Sequence, residues 1–566
     1  MDSVMRWILR QPVEQPDARE IARQFQLPAA LATMACERAA LQGLTPDHFL
    51  GPKLKSLPDP FLLPGMQPAV ELLLGAVVRN ARITLFGDYD VDGVTSLTIL
   101  SRFLQAWGVE VACFLPERLA EGYGLSAEAL ERCINTTQPQ VIIAMDCGTN
   151  SVAEIAATQA RGIDMIVIDH HEPSTPATSV PIVNPKLGQG HTDFCTAGLA
   201  FKFCHALLKQ TDRRDPDLRN WLDLVALGTV ADLAPLTGEN RILVHHGLKR
   251  MPRSCWPGLQ ALMKVGQVGP NPTTDDVGFR LGPRINAAGR LGTAEAALEL
   301  LTTDDARRAR TIADELNNRN TERQRVERAT LREAEAALDY MPDPKAIVLA
   351  NEGWHPGVVG IVASRIMRRF HRPTFVIAVD ENGMGKGSGR SIDGVSLIEL
   401  LQQAAPCLEQ FGGHHAAAGL SIRAEQIDTL RQSLAEAVTR TVTPELLQPS
   451  LRIDAIVRYD ELHLEFLEAH EQLQPYGAAN AQPLFAMCGV RPAEPPRVMK
   501  EKHLSFRFGR NGGGVRAIWF DGARTPLPAP PWDVAFQVGV NEYRGNRQIQ
   551  VTIRAIRTSS SEFATA

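Results

Sequence analysis

The stretch Arg82-Ile83-Thr84-Leu85-Phe86-Gly87-Asp88-Tyr89-Asp90-Val91-Asp92-Gly93 decides the fold. A mostly apolar run ends in alternating aspartates, and residues 94–107 follow with apolar positions at helical spacing. Strand, acidic turn and helix in that order open a parallel α/β unit. The layout recurs downstream. Asp146 follows Val141-Ile142-Ile143-Ala144-Met145, Asp169-His170-His171 follows Met165-Ile166-Val167-Ile168, and Asp232 follows Leu227-Gly228-Thr229-Val230-Ala231. Ligands of open α/β sheets gather at the carboxyl ends of strands, so these four distant sites are predicted to meet. Carboxylates and imidazoles crowded together need a cation, and an oxygen-rich set suits magnesium or manganese.

At 566 residues the chain is long enough for three or four domains. No apolar run reaches the roughly 18 residues that a membrane span needs. Residues 1–20 are charged and proline-punctuated, without the apolar stretch of a secretory signal. The nine cysteines lack CxxC spacing, and Cys147, Cys195 and Cys204 lie in apolar surroundings. That usage fits a reduced cytoplasm and argues against a disulfide framework or a zinc site. The net charge of −5 is unevenly spread: residues 497–557 hold 11 Lys and Arg against 4 Asp and Glu. A basic module on an acidic body is compatible with a polyanion partner at one end, or with a solvated charged surface.

Residues 1–60 are expected to be helical and irregular, broken by Pro12, Pro16, Pro28, Pro46, Pro52 and Pro58. Residues 61–303 form the predicted parallel-sheet domain, with strands at 82–87, 110–115, 140–145 and 164–168. Residues 304–340 are rich in Arg, Glu, Ala and Leu and predict one long charged connecting helix. A second α/β domain follows over 341–445. It includes a strand near 374–378, the glycine-rich stretch 383–389 and Gly412-Gly413-His414-His415. Residues 450–557 change to short strands at 486–490, 504–508, 515–519, 532–540 and 548–556, the pattern of a small oligonucleotide-binding-type β-barrel.

Asp88 and Asp90 are two apart, so in extended chain both reach one cluster. His170 and His171 are adjacent and are expected to face opposite ways, leaving one as a ligand and the other for substrate. A strand-end aspartate is usually a helix cap or turn residue. Asp-x-Asp-x-Asp-Gly after one strand with Asp-His-His after a later one is far more specific. Converging carboxylates would repel one another without metal. A pair of divalent ions would neutralise them and stabilise an in-line phosphoryl transition state.

The motifs Gly87-Asp88-Tyr89-Asp90-Val91-Asp92-Gly93 and Asp169-His170-His171 resemble those of the DHH phosphoesterase superfamily. Three further stretches are similar to those of the bacterial RecJ exonucleases within it: Arg118-Leu119-Ala120-Glu121-Gly122-Tyr123-Gly124-Leu125, Gly282-Pro283-Arg284-Ile285-Asn286-Ala287-Ala288-Gly289-Arg290 and Gly353-Trp354-His355-Pro356-Gly357. So is Gly412-Gly413-His414-His415-Ala416-Ala417-Ala418-Gly419.

This resemblance implies a DHH domain, a DHHA1 domain facing it across a cleft, and a terminal OB-like domain. It implies a two-metal phosphodiesterase, using Mg2+ or Mn2+, that cuts single-stranded DNA from the 5′ end and releases 5′-mononucleotides. One metal would take Asp88 and Asp146; the other would take Asp90, Asp146, His170 and Asp232. His171 would meet the phosphate or the leaving group. Related small-substrate hydrolases place a His shortly before the first Asp. Residues 84–87 supply none, so water or Asp92 would complete the first metal's shell. The resemblance further implies that Arg118, Arg284, Arg390, Ser391 and His414 hold substrate phosphates. It also implies partnership with single-stranded-DNA-binding protein and a RecQ-type helicase in recombination and mismatch repair.

Lys386-Gly387-Ser388-Gly389-Arg390-Ser391 has the composition of an anion-binding loop or a glycine-rich hairpin turn, and it is neither a Walker loop nor a dinucleotide fingerprint. The two glycines before His414 suit a tight turn leading into a helix. In the terminal module Phe506, Phe508, Trp519 and Tyr543 are candidates for base stacking, and Arg507, Arg516, Arg544 and Arg547 for phosphate contacts. Tyr543 and Arg547 flank a turn and are expected to be exposed. Two other functions compete. A phosphoesterase for dinucleotides or pyrophosphate needs no polymer path, which the length and basic module oppose. A binding protein without metals would show gaps in the ligand set, and Asp88, Asp90, Asp146, His170, His171 and Asp232 are all present. No dimerisation seam is evident, so a monomer is expected.

Overall fold

A computed structural model describes the chain except for residues 1–4, 12–16, 118–120, 122–123, 175–178, 191, 292–293, 340, 342–343, 510–513, 544–545 and 561–566. It forms two units: Trp7–Gly282 with Leu298–Arg310 and Arg452–Ala566, and Met1–Arg6 with Pro283–Ala297 and Thr311–Leu451.

The first unit is built on a five-stranded parallel sheet, in the order Val111–Phe114, Ile83–Phe86, Val141–Met145, Asp164–Ile168 and Ile182–Val183. Every residue of Val141–Met145 is buried, which is why its sequence is an unbroken apolar run rather than an alternation. The helices Val91–Ala106, Thr196–Gln210, Leu222–Ala231 and Gly238–Arg250 belong to the same unit.

Residues 453–558 of this unit add a mostly antiparallel seven-stranded sheet, whose two end strands, Ala455–Ile456 and Arg497–Met499, are not joined to each other among the described residues. It is a partly open form of the expected barrel. Its core continues into the N-terminal segment: Leu31, Met34 and Phe49 share one apolar cluster with Phe466, Phe485, Phe506, Phe508, Trp532 and Phe536. The helices Ala18–Gln24, Ala29–Leu41 and Pro46–Leu50 thus gain the burial that so short a set of helices could not supply alone.

The second unit has a five-stranded sheet in the order Gln410–Gly413, Ala417–Arg423, Met384–Arg390, Thr374–Val379 and Ile347–Asn351. The stretch expected as a loop or hairpin turn, 386–390, is instead a strand between two neighbours. Its glycines alternate for a packing reason. A Cβ on Gly385 would stand 2.8 Å from Ile377, and one on Gly389 only 2.3 Å from the Phe375 ring. The glycine face lies against the core, and Lys386, Ser388 and Arg390 occupy the other. Gly412-Gly413 ends a strand and leads into a hairpin, not a helix. The expected connecting helix spans Ala306–Leu338. Among the described residues no single helix is long and apolar enough to cross a membrane.

Candidate metal centre

The chain leaves the strand Ile83–Phe86 at Gly87 and turns on its own aspartates. The Asp88 carboxylate accepts from Tyr89 N–H at 2.8 Å, and Asp90 caps the helix Val91–Ala106, accepting from Asp92 and Gly93 N–H at 2.9 and 3.1 Å. Gly93 is required here, since a Cβ would stand 2.3 Å from the Asp88 carbonyl oxygen. The Asp92 carboxylate accepts from Thr196 and Ala197 N–H at 2.6 and 2.8 Å and so caps a different helix, Thr196–Gln210. That cap places the Thr196 hydroxyl 2.9 Å from the Asp146 carboxylate, to which it donates.

Asp146 sits beyond its strand in the left-handed region, at φ 65°, with its N–H donating to the Ile168 carbonyl. Asp169 organises the next turn. One of its oxygens accepts from His170 N–H, His171 N–H and His171 Nδ1, and the other from Thr149 N–H. This fold-back defeats the alternation of an extended chain, so the two imidazole rings do not point apart; their centroids lie 4.7 Å from each other. Buried Asn184 locks the turn by donating to the His171 carbonyl and to the Thr149 hydroxyl.

Asp232 follows a helix, Leu222–Ala231, and not a strand. Leu227 through Val230 are buried in that helix, so their apolar run carries no sign of its type. The helix lies close against its neighbours at Gly228, where a Cβ would meet the Thr95 hydroxyl at 2.5 Å.

All six acidic and histidine candidates converge. Ligand atoms of Asp88, Asp90 and Asp146 lie within 4.8 Å of one another, as do those of Asp146, His170 and His171, and those of Asp92, His170 and Asp232. His170 Nε2 stands 3.3 Å from Asp146 and 3.8 Å from Asp232. Asp92 groups with His170 and Asp232, whereas water or Asp92 was the expectation for completing the Asp88 side.

The electrostatics follow from crowding. Burial, then Asp92 and Asp90, push the Asp232 carboxyl up to about 9. Burial and the neighbouring aspartates also raise Asp146 and Asp90. Burial lowers His170, favouring the neutral imidazole that ligates metal. For Asp169 burial works upward, but the bonds from His171 and Thr149 outweigh it and hold the carboxyl well below the usual carboxylate range. The same pairing raises His171 against its own burial. Oxygen donors this close, three of them disfavoured as anions, make a set that a divalent cation would stabilise.

Of the phosphate-binding candidates, Arg284, Arg390, Ser391 and His414 belong to the second unit. Arg118 lies outside the described residues. Arg284 is on the helix Gly282–Leu291 and donates to Asn317 Oδ1 at 3.1 Å. In the second unit's sheet, Ser391 N–H donates to the Ala416 carbonyl and His414 N–H to the Ala417 carbonyl, which brings Arg390, Ser391 and the His414 turn side by side. The Ser391 hydroxyl is buried without a hydrogen bond among the described residues. Arg390 donates to Ser388 Oγ and the Gly389 carbonyl and has no carboxylate partner there.

In the terminal module Phe506 and Phe508 are core residues, 2% and 0% exposed, so neither stacks bases. Trp519 packs half-buried against the same core. The Tyr543 and Arg544 side chains lie outside the described residues, and Arg547 is ion-paired to Glu471. Arg507 and Arg516 are exposed cross-strand neighbours.

Thr149, Asp169, Asn184 and Thr196 complete the centre without having been singled out as site residues, and Asp92 was considered only as an alternative to water at the first metal. Only Asp92 and Asp169 carried a signal, by lying inside the two acidic motifs.

The DHH family N-terminal domain matches residues 82–229, the DHHA1 domain 343–440 and the RecJ OB domain 453–555. The single-stranded-DNA-specific exonuclease RecJ of Bacillus subtilis is 33% identical over 98% of this chain and 71% of its own length. The chain belongs to the RecJ family of single-stranded-DNA-specific exonucleases. Its RecJ relative from Thermus thermophilus is 38% identical over 89% of this chain and 72% of its own length. A crystal structure of the Thermus thermophilus RecJ in complex with Mn2+ superposes with a TM-score of 0.86 at 33% identity. It covers 99% of this chain and 81% of the other.

Proposed function

We propose that the chain hydrolyses single-stranded DNA from its 5′ end and releases 5′-mononucleotides, with two divalent ions, Mg2+ or Mn2+, in the acidic cluster. The observation that carries this reading is the convergence of Asp88, Asp90, Asp146, His170, His171 and Asp232. Asp88 and Asp146 would hold one ion; Asp90, Asp146, His170 and Asp232 would hold the other, with Asp146 shared. When bound, such a pair lowers the pKa of water and stabilises charge on an in-line phosphoryl transition state.

The chain's own groups do the rest. Asp169 holds His171 Nδ1, leaving Nε2 for the phosphate or the departing oxygen. Thr196 fixes the rotamer of Asp146, and Asp90 is held by two backbone N–H groups. Arg390, Ser391 and His414, with Arg118 and Arg284, would grip phosphates by charge-assisted hydrogen bonds. Arg507 and Arg516 on the terminal sheet would follow the backbone of the strand. Action as a monomer rests on the lack of an evident dimerisation seam and a cytoplasmic setting on the cysteine usage, whereas partnership with single-stranded-DNA-binding protein and a RecQ-type helicase rests on the family resemblance.

The test is to incubate the protein with 5′-labelled single strand, duplex and dinucleotide, with manganese and then with chelator. Mononucleotides released from the single strand alone, and lost on chelation, are expected. Asp146→Ala should abolish cleavage while single-strand binding persists. Hydrolysis of the dinucleotide with the single strand left intact would select the small-substrate alternative.

A further inference from the structure

Residues Val277–Leu281 form a π-helical turn, a rare conformation that recurs at functional sites. The turn is firmly seated. Val277 and Leu281 are fully buried, and a Cβ on the next residue, Gly282, would stand 3.3 Å from the Ala231 Cβ and 3.8 Å from Val91 Cγ2. Ala231 ends the helix that delivers Asp232, and Val91 begins the helix that Asp90 caps. The π turn therefore sits against the two helix ends that carry one side of the acidic cluster. Arg280 secures it from outside by donating to the Gln267 carbonyl at 2.8 Å and pairing with Asp276 at 3.2 Å.

On this rigid turn Phe279 is 73% exposed. Leu233, directly after Asp232, is 74% exposed in a left-handed conformation at φ 61°. A phenyl ring held in water on a fixed turn contributes nothing to the core. Carried on a turn that packs against the helix ends next to Asp232 and Asp90, it offers a flat apolar face to a flat apolar partner. Every nucleobase has such a face, and stacking on it is tolerant of sequence.

We propose that Phe279 stacks on a nucleobase close to the scissile phosphate, as a base-positioning platform within the catalytic unit. This rests on the reading of the cluster as a single-strand nuclease centre. It assigns base contact to a residue that neither the acidic motifs nor the terminal sheet contains. A strand with its bases free can present one to the ring, whereas a duplex keeps them stacked within itself, so the platform would also favour unpaired substrate.

Because Phe279 makes no core contribution, Phe279→Ala should fold and melt like the parent and bind manganese equally well. On natural single strand its KM should rise roughly tenfold or more, with a smaller effect on kcat, and Phe279→Trp should restore the parent value. A second substrate, abasic over its first four nucleotides, separates stacking from a structural effect. The parent and Phe279→Ala should process that strand with the same KM. An unchanged KM on natural DNA, or a penalty that persists on the abasic strand, would overturn the proposal. If the parent itself releases no mononucleotide from either strand, the reading of the metal centre fails, and this inference with it.

Discussion

His171 Nδ1 donates to the Asp169 carboxylate across 2.6 Å. An ionised carboxylate can only accept, so a proton must lie on Nδ1, and Nε2 is the ring nitrogen that this bond leaves available. Asp169 contributes no atom to the ligand groups, yet it sets the tautomer and the ring orientation of one member. Its other oxygen, occupied by Thr149 N–H, keeps it from rotating away.

Asp169→Asn should therefore impair the centre without touching a ligand. An amide cannot accept on its nitrogen side, so either Thr149 or the His171 group loses its partner. Such orienting partners typically account for about 10–100-fold in activity or metal affinity. We expect kcat to fall within that range, manganese affinity measured by titration calorimetry to weaken, and single-strand affinity to stay unchanged. Full kcat in this variant would refute the orienting role.

The crowded carboxylates predict an unusual pH dependence in the metal-free protein. Asp232 has an unfolded value near 3.8 and is pushed up to about 9 by burial and its acidic neighbours. Between these limits the folded chain keeps a proton that the unfolded chain has lost. Stability therefore falls as pH rises across the window, the reverse of a carboxylate held in an ion pair. Asp232→Asn removes the penalty. In chelator near pH 8 this variant should melt above the parent, by about 2–4 °C for each kcal/mol relieved, and the gain should shrink toward pH 4. Saturating manganese binds only the folded state and should raise the parent more than the variant, reversing their order. Melting curves in chelator and in manganese across this range decide the matter. A parent that stays the more stable in chelator at high pH would contradict the electrostatic account.

What the sequence could reveal followed from how local each constraint was. The strand Val141–Met145 is buried throughout, so it had to be continuously apolar and was legible. The acidic turns were legible because Asp88, Asp90 and Gly93 satisfy one another within a few residues. Where the constraint came from a distant partner, reading failed. Gly385, Gly387 and Gly389 look like a loop until Phe375, Ile377 and Leu420 are seen in the space their side chains would fill. Leu227 to Val230 could be strand or helix, since burial on all sides erases the period. Fixed turns also broke the alternation expected at His170 and His171, because it assumed extended chain where Asp169 folds it back. The basic count of the terminal module overstated its free charge: Arg497, Arg547 and Arg557 are engaged by Glu494, Glu471 and Asp533.

The most distant of these constraints is also the easiest to test by stability. Arg241, on the helix Gly238–Arg250, is 1% exposed. It donates to the carbonyls of Phe49 at 3.0 Å and Gln474 at 2.8 Å, and its guanidinium lies 3.9 Å from the centre of the Phe49 ring. Burial pulls its pKa down to about 9, still leaving it charged at neutral pH. One side chain thus ties the N-terminal segment, the catalytic unit's helix and the approach to the terminal sheet. Buried Arg38 makes a second tie to Asn480 at 2.8 Å. Truncating Arg241 would leave buried carbonyls without donors, and hydrogen bonds to charged groups carry about 1.5–3 kcal/mol each. Arg241→Met should lower unfolding stability in urea by about 3 kcal/mol or more. Arg241→Lys should not rescue it, since a single ammonium cannot reproduce the planar fork or the stacking on Phe49. No hydrogen bond or ion pair among the described residues joins Arg241 to Asp146 or His170, so the folded fraction of either variant should keep its manganese affinity. A loss below about 1 kcal/mol would mean that the apolar core shared by Phe49, Phe466 and Phe485 holds these segments together without the arginine.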